Sequence, residues 1–327
     1  MNEQSRIRLP GEWERQRATL LAWPSANSDW TSRLEAVRAE YLDLIRTIGR
    51  IQPVLVLVSP LDQDDLPLLA DLPGVLAISA PFNDTWCRDY GPITVSSDQG
   101  GHSFDFFFNG WGGKYDARLD NSVNEVLSAH CFFAKSPFSK VSFELEGGAI
   151  ESDGRGSLLV NWHCLRTRHP SLTQTQIADR LCAELGLSRV IGIDIEPTEG
   201  DDTDGHIDTL ARFLSTDTIA WQVQREANRT RLIESQLRAL RQPDGQPYRL
   251  VELPCPEGFD PDLPANYANF LFINGACLVP AYGVPADDAA IERLSAALPD
   301  RPMIKQASVQ LIHQFGSIHC ATMHIPE

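Results

Sequence analysis

The sequence lacks the marks of a membrane protein, a disulfide-stabilised secreted protein and a zinc protein. No apolar run approaches the roughly 20 residues that a membrane helix needs, and the N-terminal segment 1–10 has no apolar stretch typical of a signal peptide. The seven cysteines are odd in number and form no Cys-x-x-Cys pair, which argues against a disulfide framework and a tetrahedral zinc site. We therefore expect a cytoplasmic protein with reduced thiols.

Basic residues are also few. The 327 residues contain 28 Lys and Arg against 44 Asp and Glu, so the formal net charge is −16. Nucleic-acid binding needs a basic face that neutralises phosphates, so this balance excludes nucleic acid as an expected partner. Most acidic side chains of a soluble protein are simply solvated, but a negative surface also suits a cationic ligand.

Hydrophobic periodicity predicts alternating helices and strands. Amphipathic helices are predicted at 28–50, 120–133, 171–185, 226–241 and 286–298, with a shorter candidate at 62–71. Strands are predicted at Thr19–Trp23, Val54–Ser59, Leu76–Ala80, Ser103–Phe108, Leu158–Trp162, Ile219–Val223, Phe270–Asn274 and Ser308–Ile312. Two or three strands usually separate consecutive helices, which favours an α/β fold with a hairpin in each of about five units. No linker divides the chain, so we expect one domain over residues 1–327.

Two helices carry boundary signals. The first has an apolar stripe running from Leu34 to Ile48, with Ser28 or Asp29 as its predicted N-cap. The helix at 171–185 is predicted to start at Ser171 and to stop at Gly186, a residue type that favours the left-handed conformation at helix ends.

Two segments in the first half of the chain combine polar groups with turn signals. Residues 81–92 are rich in polar and aromatic side chains and end in Gly-Pro, which indicates either a site-forming loop or a capped surface turn. In a strand at 143–150, Glu144 and Glu146 would share one face, and two glycines follow. This segment is either an ordinary half-exposed strand or a place where the backbone passes close to another group. Asp153-Gly154 then predicts a hairpin turn.

Two further segments carry candidate catalytic groups. Residues 201–208 contain four aspartates and a histidine but fail the calcium-loop template, because a Gly205 alignment puts Ala211 where the last ligand belongs. We favour a strand over a helix here, with His206 and Asp208 on one side; a solvated acidic loop is the alternative. Near the C-terminus, Gly316 precedes a predicted strand bearing a His-Cys pair. A lone cysteine there is most often structural, and spacing does not show that Cys320 meets a histidine and a glutamate.

Together these segments resemble the agmatine deiminase and bacterial peptidylarginine deiminase-like family of guanidino-group modifying enzymes. The resemblance covers nearly the whole chain, and the acidic run ending in Gly-His-Ile-Asp is its most specific part together with Trp-Cys-Arg-Asp and the terminal His-Cys. It is carried by residues 10–14, 20–24, 83–89, 108–114, 146–148, 201–208, 266–269, 280–283 and 318–320. One segment departs from it: residues 314–317 read Gln-Phe-Gly-Ser, where agmatine deiminases typically show Gly-Gly-Gly-Asn.

The resemblance implies a pentein fold, a five-bladed α/β-propeller of ββαβ units around a central active-site cavity. It implies hydrolytic deimination through a covalent Cys thiouronium intermediate, with agmatine and water giving N-carbamoylputrescine and ammonia, a step of putrescine biosynthesis. Matched motif by motif, Cys320 is the nucleophile, His206 the general acid/base and Glu146 the partner of that histidine. No metal or cofactor is implied.

The resemblance also assigns the binding residues. Asp89 and Asp208 would bind the guanidinium, and Trp86 would line the pocket. Asp202 would lie towards the amine end of agmatine. The expected partner is thus a small cationic guanidino compound; formation of a homodimer is left open. Surrounding carboxylates should raise the pKa of the Cys320 thiol in the empty site.

Several alternatives share parts of this pattern. Deimination of peptidyl-arginine or of another arginine derivative would use the same residues, and an amidinotransferase would share the fold and nucleophile. A non-catalytic binding protein of this fold would not need all five of the catalytic and gripping side chains. A thiol protease would need N–H donors rather than a surplus of carboxylates.

Overall fold

The structure is a computed structural model that describes residues 7–98, 100–260 and 262–327. Residues 1–6, part of the N-terminal segment considered for a signal peptide, lie outside the described residues. In the described part, no helix is both long and apolar enough to cross a bilayer.

Strands of the described residues form five small sheets, one of four strands and four of three. They are β1 Gln16–Ala22, β2 Val54–Val58, β3 Val75–Ser79, β4 Ile93–Ser97, β5 Gly100–Phe107, β6 Phe138–Glu144, β7 Ile150–Ser152, β8 Ser157–Asn161, β9 Arg189–Ile193, β10 Ala211–Phe213, β11 Thr218–Gln222, β12 Arg249–Leu253, β13 Leu271–Ile273, β14 Ala276–Ala281, β15 Met303–Ala307 and β16 Thr322–Pro326.

Helices lie between these strands along the chain. They are α1 Leu34–Gly49, α2 Leu66–Ala70, α3 Cys87–Tyr90, α4 Gly110–Gly113, α5 Val123–Ala129, α6 Trp162–Arg168, α7 Gln174–Leu185, α8 Ala227–Ala239 and α9 Ala286–Ala297. The helices predicted at 171–185, 226–241 and 286–298 are confirmed with ends within three residues. The helix predicted at 28–50 begins only at Leu34, 120–133 is divided into α5 and a 3-10 turn on either side of it, and 62–71 is divided between a 3-10 turn and α2.

Each three-stranded sheet repeats one ββαβ unit. Its first two strands are antiparallel and its third strand runs parallel to the second, after a connection that contains a helix. Helices α5, α7, α8 and α9 occupy these four connections. A parallel pair requires such a crossover, whereas an antiparallel pair needs only a short turn. The expected five α/β units with internal hairpins are confirmed.

The fifth unit joins the two ends of the chain. Strand β16 pairs antiparallel with β1, and β1 pairs parallel with β2, which α1 precedes; β3 adds an extra edge strand. The last strand of the chain therefore completes the sheet that the first strand began. Cys320 lies two residues before β16, and its carbonyl oxygen accepts a hydrogen bond from the backbone N–H of Arg88 at 3.2 Å.

Helix packing follows the predicted stripes. In α1 the residues buried against the core include Tyr41 and Ile45, and α7 buries Ile177 and Leu181. Gly186 ends α7 in the left-handed conformation as predicted, with φ 66°. The predicted starts are wrong: Thr173 caps α7 in a capping box, and a 3-10 turn at Thr31–Arg33 precedes α1 without a side-chain cap.

The predicted strand at Ser308–Ile312 is absent, and the strand of this unit is β15. Residues Leu311–Gln314 form a 3-10 turn instead. The carboxylate of Glu40 on α1 accepts hydrogen bonds from the backbone N–H groups of Gln310 and Leu311 at 3.0 Å each. Because a side chain satisfies these donors, the segment needs no neighbouring strand.

Two more strand predictions near the site are wrong for the same kind of reason. Residues Ile207–Thr209 form a 3-10 turn, and the strand begins only at Ala211. The backbone N–H of His206 donates to the Thr203 hydroxyl at 3.1 Å, which fixes the turn. His319 and Cys320 also lie in a turn, with their backbone N–H groups bound by the side chain of Asn269, and strand β16 starts after them.

Candidate active site

A cavity of about 490 Å³ opens between several units. Six of the seven predicted site residues line it: Trp86, Asp89, Asp202, His206, Asp208 and Cys320. The seventh, Glu146, is fully buried behind the cavity wall, and its Oε2 lies 4.0 Å from Nε2 of His206. The structure therefore brings together side chains that are more than 200 residues apart in sequence.

Cys320 is held by one amide side chain. Asn269 Oδ1 accepts from the backbone N–H of His319 at 2.9 Å and from that of Cys320 at 3.2 Å. The Nδ2 of the same residue donates to Cys320 Sγ at 3.1 Å. Asn269 thus fixes both the turn that carries the sulfur and the sulfur itself, and its N–H donor can stabilise a thiolate.

The environment of Cys320 disfavours the thiolate in the empty cavity. Its Sγ lies 3.7 Å from Oδ2 of Asp208. Burial raises the pKa of the Cys320 thiol well above its ordinary value, and the charges of Asp208 and Asp89 raise it further. The predicted direction is confirmed, with burial rather than the carboxylates as the larger cause.

His206 lies between two carboxylates. Its Nδ1 is 3.7 Å from Oδ1 of Asp89, and its Nε2 faces Oε2 of Glu146. Both Nε2 of His206 and Oε2 of Glu146 are buried without a hydrogen-bond partner. The other oxygen of Glu146 accepts from Nε of Arg168 at 2.5 Å, so the carboxylate is oriented towards the histidine. Such an imidazole is placed to exchange protons with a group entering from the cavity.

The two aspartates predicted to bind the guanidinium, Asp89 and Asp208, are called the clamp below, and they are held by different partners. Asp89 accepts from Trp111 Nε1 and from the backbone N–H of Gly148, both at 2.9 Å. Burial raises the pKa of Asp89. Burial also opposes ionisation of Asp208, yet the hydrogen bond and charge of His319 lower the pKa of Asp208 overall.

Two adjacent glycines after β6 allow this close assembly. A Cβ on Gly148 would lie 2.6 Å from Nδ1 of His206 and 2.9 Å from Oδ1 of Asp89. A Cβ on Gly147 would lie 2.2 Å from the carbonyl oxygen of Arg88. The prediction that the backbone passes close to other groups here is confirmed, and those groups are the site residues themselves. The predicted hairpin at Asp153-Gly154 is confirmed as the β7–β8 turn.

Tryptophans form the apolar wall. Trp86 is 7% exposed and lies against Gly316, where a Cβ would come within 2.4 Å of its ring. Trp111 adopts a positive φ of 57°, which a bulky residue rarely does, and this conformation puts its indole N–H on Asp89. An aromatic wall beside carboxylates suits a flat organic cation.

The acidic loop at 201–208 is fastened by residues from other elements. Lys114 Nζ donates to the carbonyl oxygen of Asp202 at 2.6 Å and to Asp204 at 2.8 Å. The Tyr115 hydroxyl donates to the Asp202 carboxylate at 2.6 Å, and this bond raises the pKa of Tyr115 to about 12. Arg168 also binds Asp204. Asp202 thus lines the cavity, although its carboxylate already has a partner.

Sequence reasoning assigned no role to three residues that shape the site. Asn269 and Trp111 lie in segments that carry the family resemblance, so the segments were visible but the roles were not. Arg168 had no signal of its own, because nothing in the helix α6 sequence shows that it reaches Glu146.

Three buried side chains offer ligand atoms within 4.8 Å of one another: Glu146, Cys164 and His206. The guanidinium of Arg168 is hydrogen-bonded to the same glutamate. A metal ion there would lie beside a fixed positive charge, which works against its binding.

Comparison with known proteins gives a consistent result. The family profile of the Porphyromonas-type peptidyl-arginine deiminase matches residues 8–326. An agmatine deiminase of Pseudomonas syringae pv. tomato is 28% identical over 97% of this chain and 95% of its own.

Solved structures agree over the full length. A Campylobacter jejuni agmatine deiminase with substrate bound, carrying a Cys-to-Ser change, has a TM-score of 0.91 at 34% identity and covers 100% of this chain and 98% of that one. A structure provisionally assigned as a peptidyl-arginine deiminase has a TM-score of 0.94 at 39% identity, over 99% of this chain and all of that one.

An amidinotransferase from Microseira wollei shares the fold alone, with a TM-score of 0.57 at 12% identity over 98% of this chain and 97% of that one. The five small α/β units are those of the pentein fold. The chain belongs to the Porphyromonas-type peptidyl-arginine deiminase and agmatine deiminase family, whose members are hydrolases of guanidino compounds.

Proposed function

We propose that this protein hydrolyses agmatine to N-carbamoylputrescine and ammonia, with Cys320 as the nucleophile. The observation that carries the proposal is the convergence of the Cys320 thiol with two buried carboxylates and a buried imidazole in one cavity. Agmatine deiminases are among the relatives that match over nearly the whole chain.

The first step is capture of the cation. Asp89 and Asp208 line the same cavity and offer oxygens that charge-assisted N–H bonds of a guanidinium can reach. Such bonds hold a planar group in one orientation, and Asp208 lies within 3.7 Å of the sulfur. The central carbon of the cation is then held close to Cys320.

The arriving cation also activates the nucleophile. It offsets the carboxylate charges that raise the pKa of the thiol, so Cys320 loses its proton more readily when substrate is bound. The proton passes to His206, and Sγ forms a bond to the guanidino carbon. The resulting imidazolium returns the proton to the departing nitrogen, which leaves as ammonia. A cationic thiouronium adduct remains on Cys320.

Hydrolysis of the adduct reuses His206. A water molecule gives a proton to the imidazole as its oxygen adds to the same carbon. The carbon–sulfur bond then breaks, and the sulfur takes the proton of the added hydroxyl, which regenerates the thiol and releases the neutral ureido product. The imidazolium gives its proton to ammonia or to solvent. Glu146 supports both steps, because its unpartnered Oε2 faces Nε2 of His206 and offsets the positive charge that the ring carries during proton transfer.

The charge of the cavity lining favours a substrate with a second positive charge. Nine of the described lining residues are aspartate or glutamate, whereas two are arginine. Agmatine carries an amine at the end opposite its guanidinium, and a negative lining attracts it. Asp202 is the residue that we place towards this amine.

One observation favours a second candidate, deimination of an arginine derivative that carries a carboxylate. Arg225 and Arg229 line the same cavity. Their hydrogen bonds in the structure go to backbone carbonyls and to the amide of Gln224, not to carboxylates. They could bind the carboxylate of arginine or of a C-terminal arginine in a peptide.

A ureido assay with parallel ammonia detection tests the proposal. Agmatine, free arginine, a benzoyl-arginine ester and short arginine peptides are compared, with Cys320→Ala as the inactive variant and Cys182→Ala as its matched control outside the cavity. We expect the highest kcat/KM with agmatine and equal amounts of ammonia and ureido product. A higher kcat/KM with an arginine derivative would make that derivative, rather than agmatine, the substrate. If none of the guanidino compounds gives product, the proposal is contradicted.

A further inference from the structure

His319, next to the nucleophile, has no part in the reaction described above. It is 1% exposed and lies in the turn that precedes strand β16, where the side chain of Asn269 binds its backbone N–H. Its ring lies between two carboxylates rather than towards the cavity, since it is absent from the cavity lining. One carboxylate belongs to Asp208 and the other to Glu12, from the start of the chain.

The ring of His319 makes a short contact with a carboxylate on each side. Nδ1 lies 2.7 Å from Oδ2 of Asp208, and Nε2 lies 2.8 Å from Oε2 of Glu12. An ionised carboxylate only accepts hydrogen bonds, and a neutral imidazole has a proton on one nitrogen only. Two short contacts to two carboxylates therefore need two protons, and both protons lie on the ring nitrogens when the two carboxylates are ionised.

The charges around the ring agree with this assignment. Glu12 also binds Arg88 at 3.2 Å and Arg212 at 3.0 Å, and Arg212 binds Glu151 at 3.2 Å. Arg88, Arg212 and a protonated His319 then lie beside the carboxylates of Glu12, Glu151 and Asp208, and among these carboxylates burial raises the pKa of Glu151. Buried charges persist only when they are paired in this way.

Other titratable groups face the same network. The ring of His324 is 3.0 Å from Arg88 and 3.5 Å from Glu12, and burial lowers its pKa to about 3, so it adds no charge. Burial opposes ionisation of Glu12, but the charges of Arg212, His319 and Arg88 lower its pKa well below the ordinary value. On the cavity side, the remaining ionisable neighbours of Asp208 are His206, Asp89 and Cys320.

We propose that His319 is a positioning residue, a protonated link between Glu12 and Asp208 that keeps the Asp208 carboxylate ionised and oriented for the guanidinium. The proposal rests on the proposed function, because it concerns the carboxylate that we place on the substrate. His319 touches no reacting atom. It acts through Asp208, whose Oδ2 it holds beside Sγ of Cys320.

Replacement of the ring should change the pH profile rather than only the rate. In His319→Asn and His319→Gln, Asp208 loses a neighbouring positive charge and keeps its burial, so its pKa rises. Protonated Asp208 cannot pair with the cation. The acidic limb of kcat/KM should therefore move to higher pH by about one unit or more, and KM should rise.

A matched control is His102→Asn, in which a histidine bonded to Ser139 outside the cavity is replaced in the same way. Its acidic limb should coincide with that of the wild type. If the wild type is active but neither His319 variant moves its limb, the positioning role is wrong. If the wild type acts on no guanidino compound, the proposed function is wrong instead.

A second measurement needs no variant, in case both substitutions prevent folding. Neutron diffraction from deuterium-exchanged crystals of the wild-type protein near pH 7 locates protons directly. We expect deuterium on both ring nitrogens of His319 and none on the carboxylates of Glu12 and Asp208. A bare ring nitrogen, or a deuterium on Asp208, would overturn the proposal.

Discussion

At the scale of single residues, neighbouring carboxylates with similar burial behave differently because their partners differ. Asp89 and Asp208 are both buried in the cavity wall, yet burial raises the pKa of Asp89 while His319 lowers that of Asp208. In the empty cavity, Asp89 is therefore the less readily ionised of the two. A bound guanidinium favours the charged form of both.

Removal of one charge at a time tests the clamp. We expect Asp89→Asn and Asp208→Asn each to lower kcat/KM by about 3 kcal/mol, roughly 150-fold, because each leaves the buried cation without one partner. Steady-state kinetics of the two variants measures the loss. Asp105→Asn, at a buried carboxylate outside the cavity lining, is the control. Wild-type kcat/KM in either clamp variant would remove that residue from the clamp.

The reactivity of Cys320 should depend on the charge of the reagent. A thiol whose pKa is raised by burial and by carboxylates reacts slowly with neutral iodoacetamide at neutral pH. A cationic chloroacetamidine brings its own compensating charge, so its alkylation rate should titrate at lower pH. The alkylation rate of each reagent is measured from pH 6 to 10 by mass spectrometry of the Cys320 peptide, and the two pH profiles are compared. A thiol pKa below 7 in the free enzyme would refute substrate-assisted activation.

At the scale of elements, the site is built mainly from turns rather than from strands. The strands end or begin just outside it: β6 ends before Glu146, β10 begins after Asp208 and β16 begins after Cys320. Turns let side chains and backbone groups from separate units approach within hydrogen-bond distance. The glycine at 148 is the tightest of these approaches to the catalytic side chains.

A methyl group at this approach should disrupt the site. In Gly148→Ala the Cβ would fall 2.6 Å from His206 and 2.9 Å from Asp89, so at least one of these groups must move. A displacement of about 1 Å can cost about 100-fold in rate, and we expect a loss of this size in kcat.

Gly101→Ala is the matched control for that substitution, because the nearest atom to its Cβ would lie at an ordinary 3.4 Å. Its kcat should equal that of the wild type, and both variants should be checked by thermal unfolding. An active Gly148→Ala enzyme would mean that His206 and Asp89 need not hold their observed positions.

Local patterns predicted the elements better than the site. The stripes of α1 and α7 gave correct helices because their apolar spacing reflects burial against a sheet. The turns at 206–209 and 318–321 are predicted as strands because a local pattern does not show the side chains that bind their backbone N–H groups, Thr203 in the first turn and the remote Asn269 in the second. The meeting of Cys320 with His206 came from the resemblance and not from spacing.

At the scale of the whole molecule, the chain closes on itself. Five residue pairs join β16 to β1, and Cys320 lies two residues before β16. The clamp and the His319 link also depend on this closure, since Glu12 and Arg88 come from the N-terminal part of the chain. Stability and activity are therefore coupled through the last strand.

Loss of the last strand should lower stability and abolish activity together. A chain that ends at Ala321 leaves β1 without its antiparallel partner. It also lacks Met323 and Ile325, whose side chains belong to the core. We expect an unfolding midpoint lower by more than about 10 °C, or insoluble protein, and no turnover. Removal of the exposed Glu327 alone should leave both nearly unchanged. A stable, active chain without β16 would contradict the closed arrangement.

The central claim is that Cys320 forms a covalent bond to a guanidino carbon, and acid-quenched mass spectrometry during turnover tests it most directly. With agmatine, the protein should gain the mass of the substrate less ammonia, located on the Cys320 peptide, and the adduct should disappear as ureido product forms. Cys320→Ser should show no adduct, whereas Cys182→Ala should show it. If the wild type forms ureido product while its Cys320 peptide stays unmodified at every quench time, or if the adduct forms on another residue, the account is contradicted.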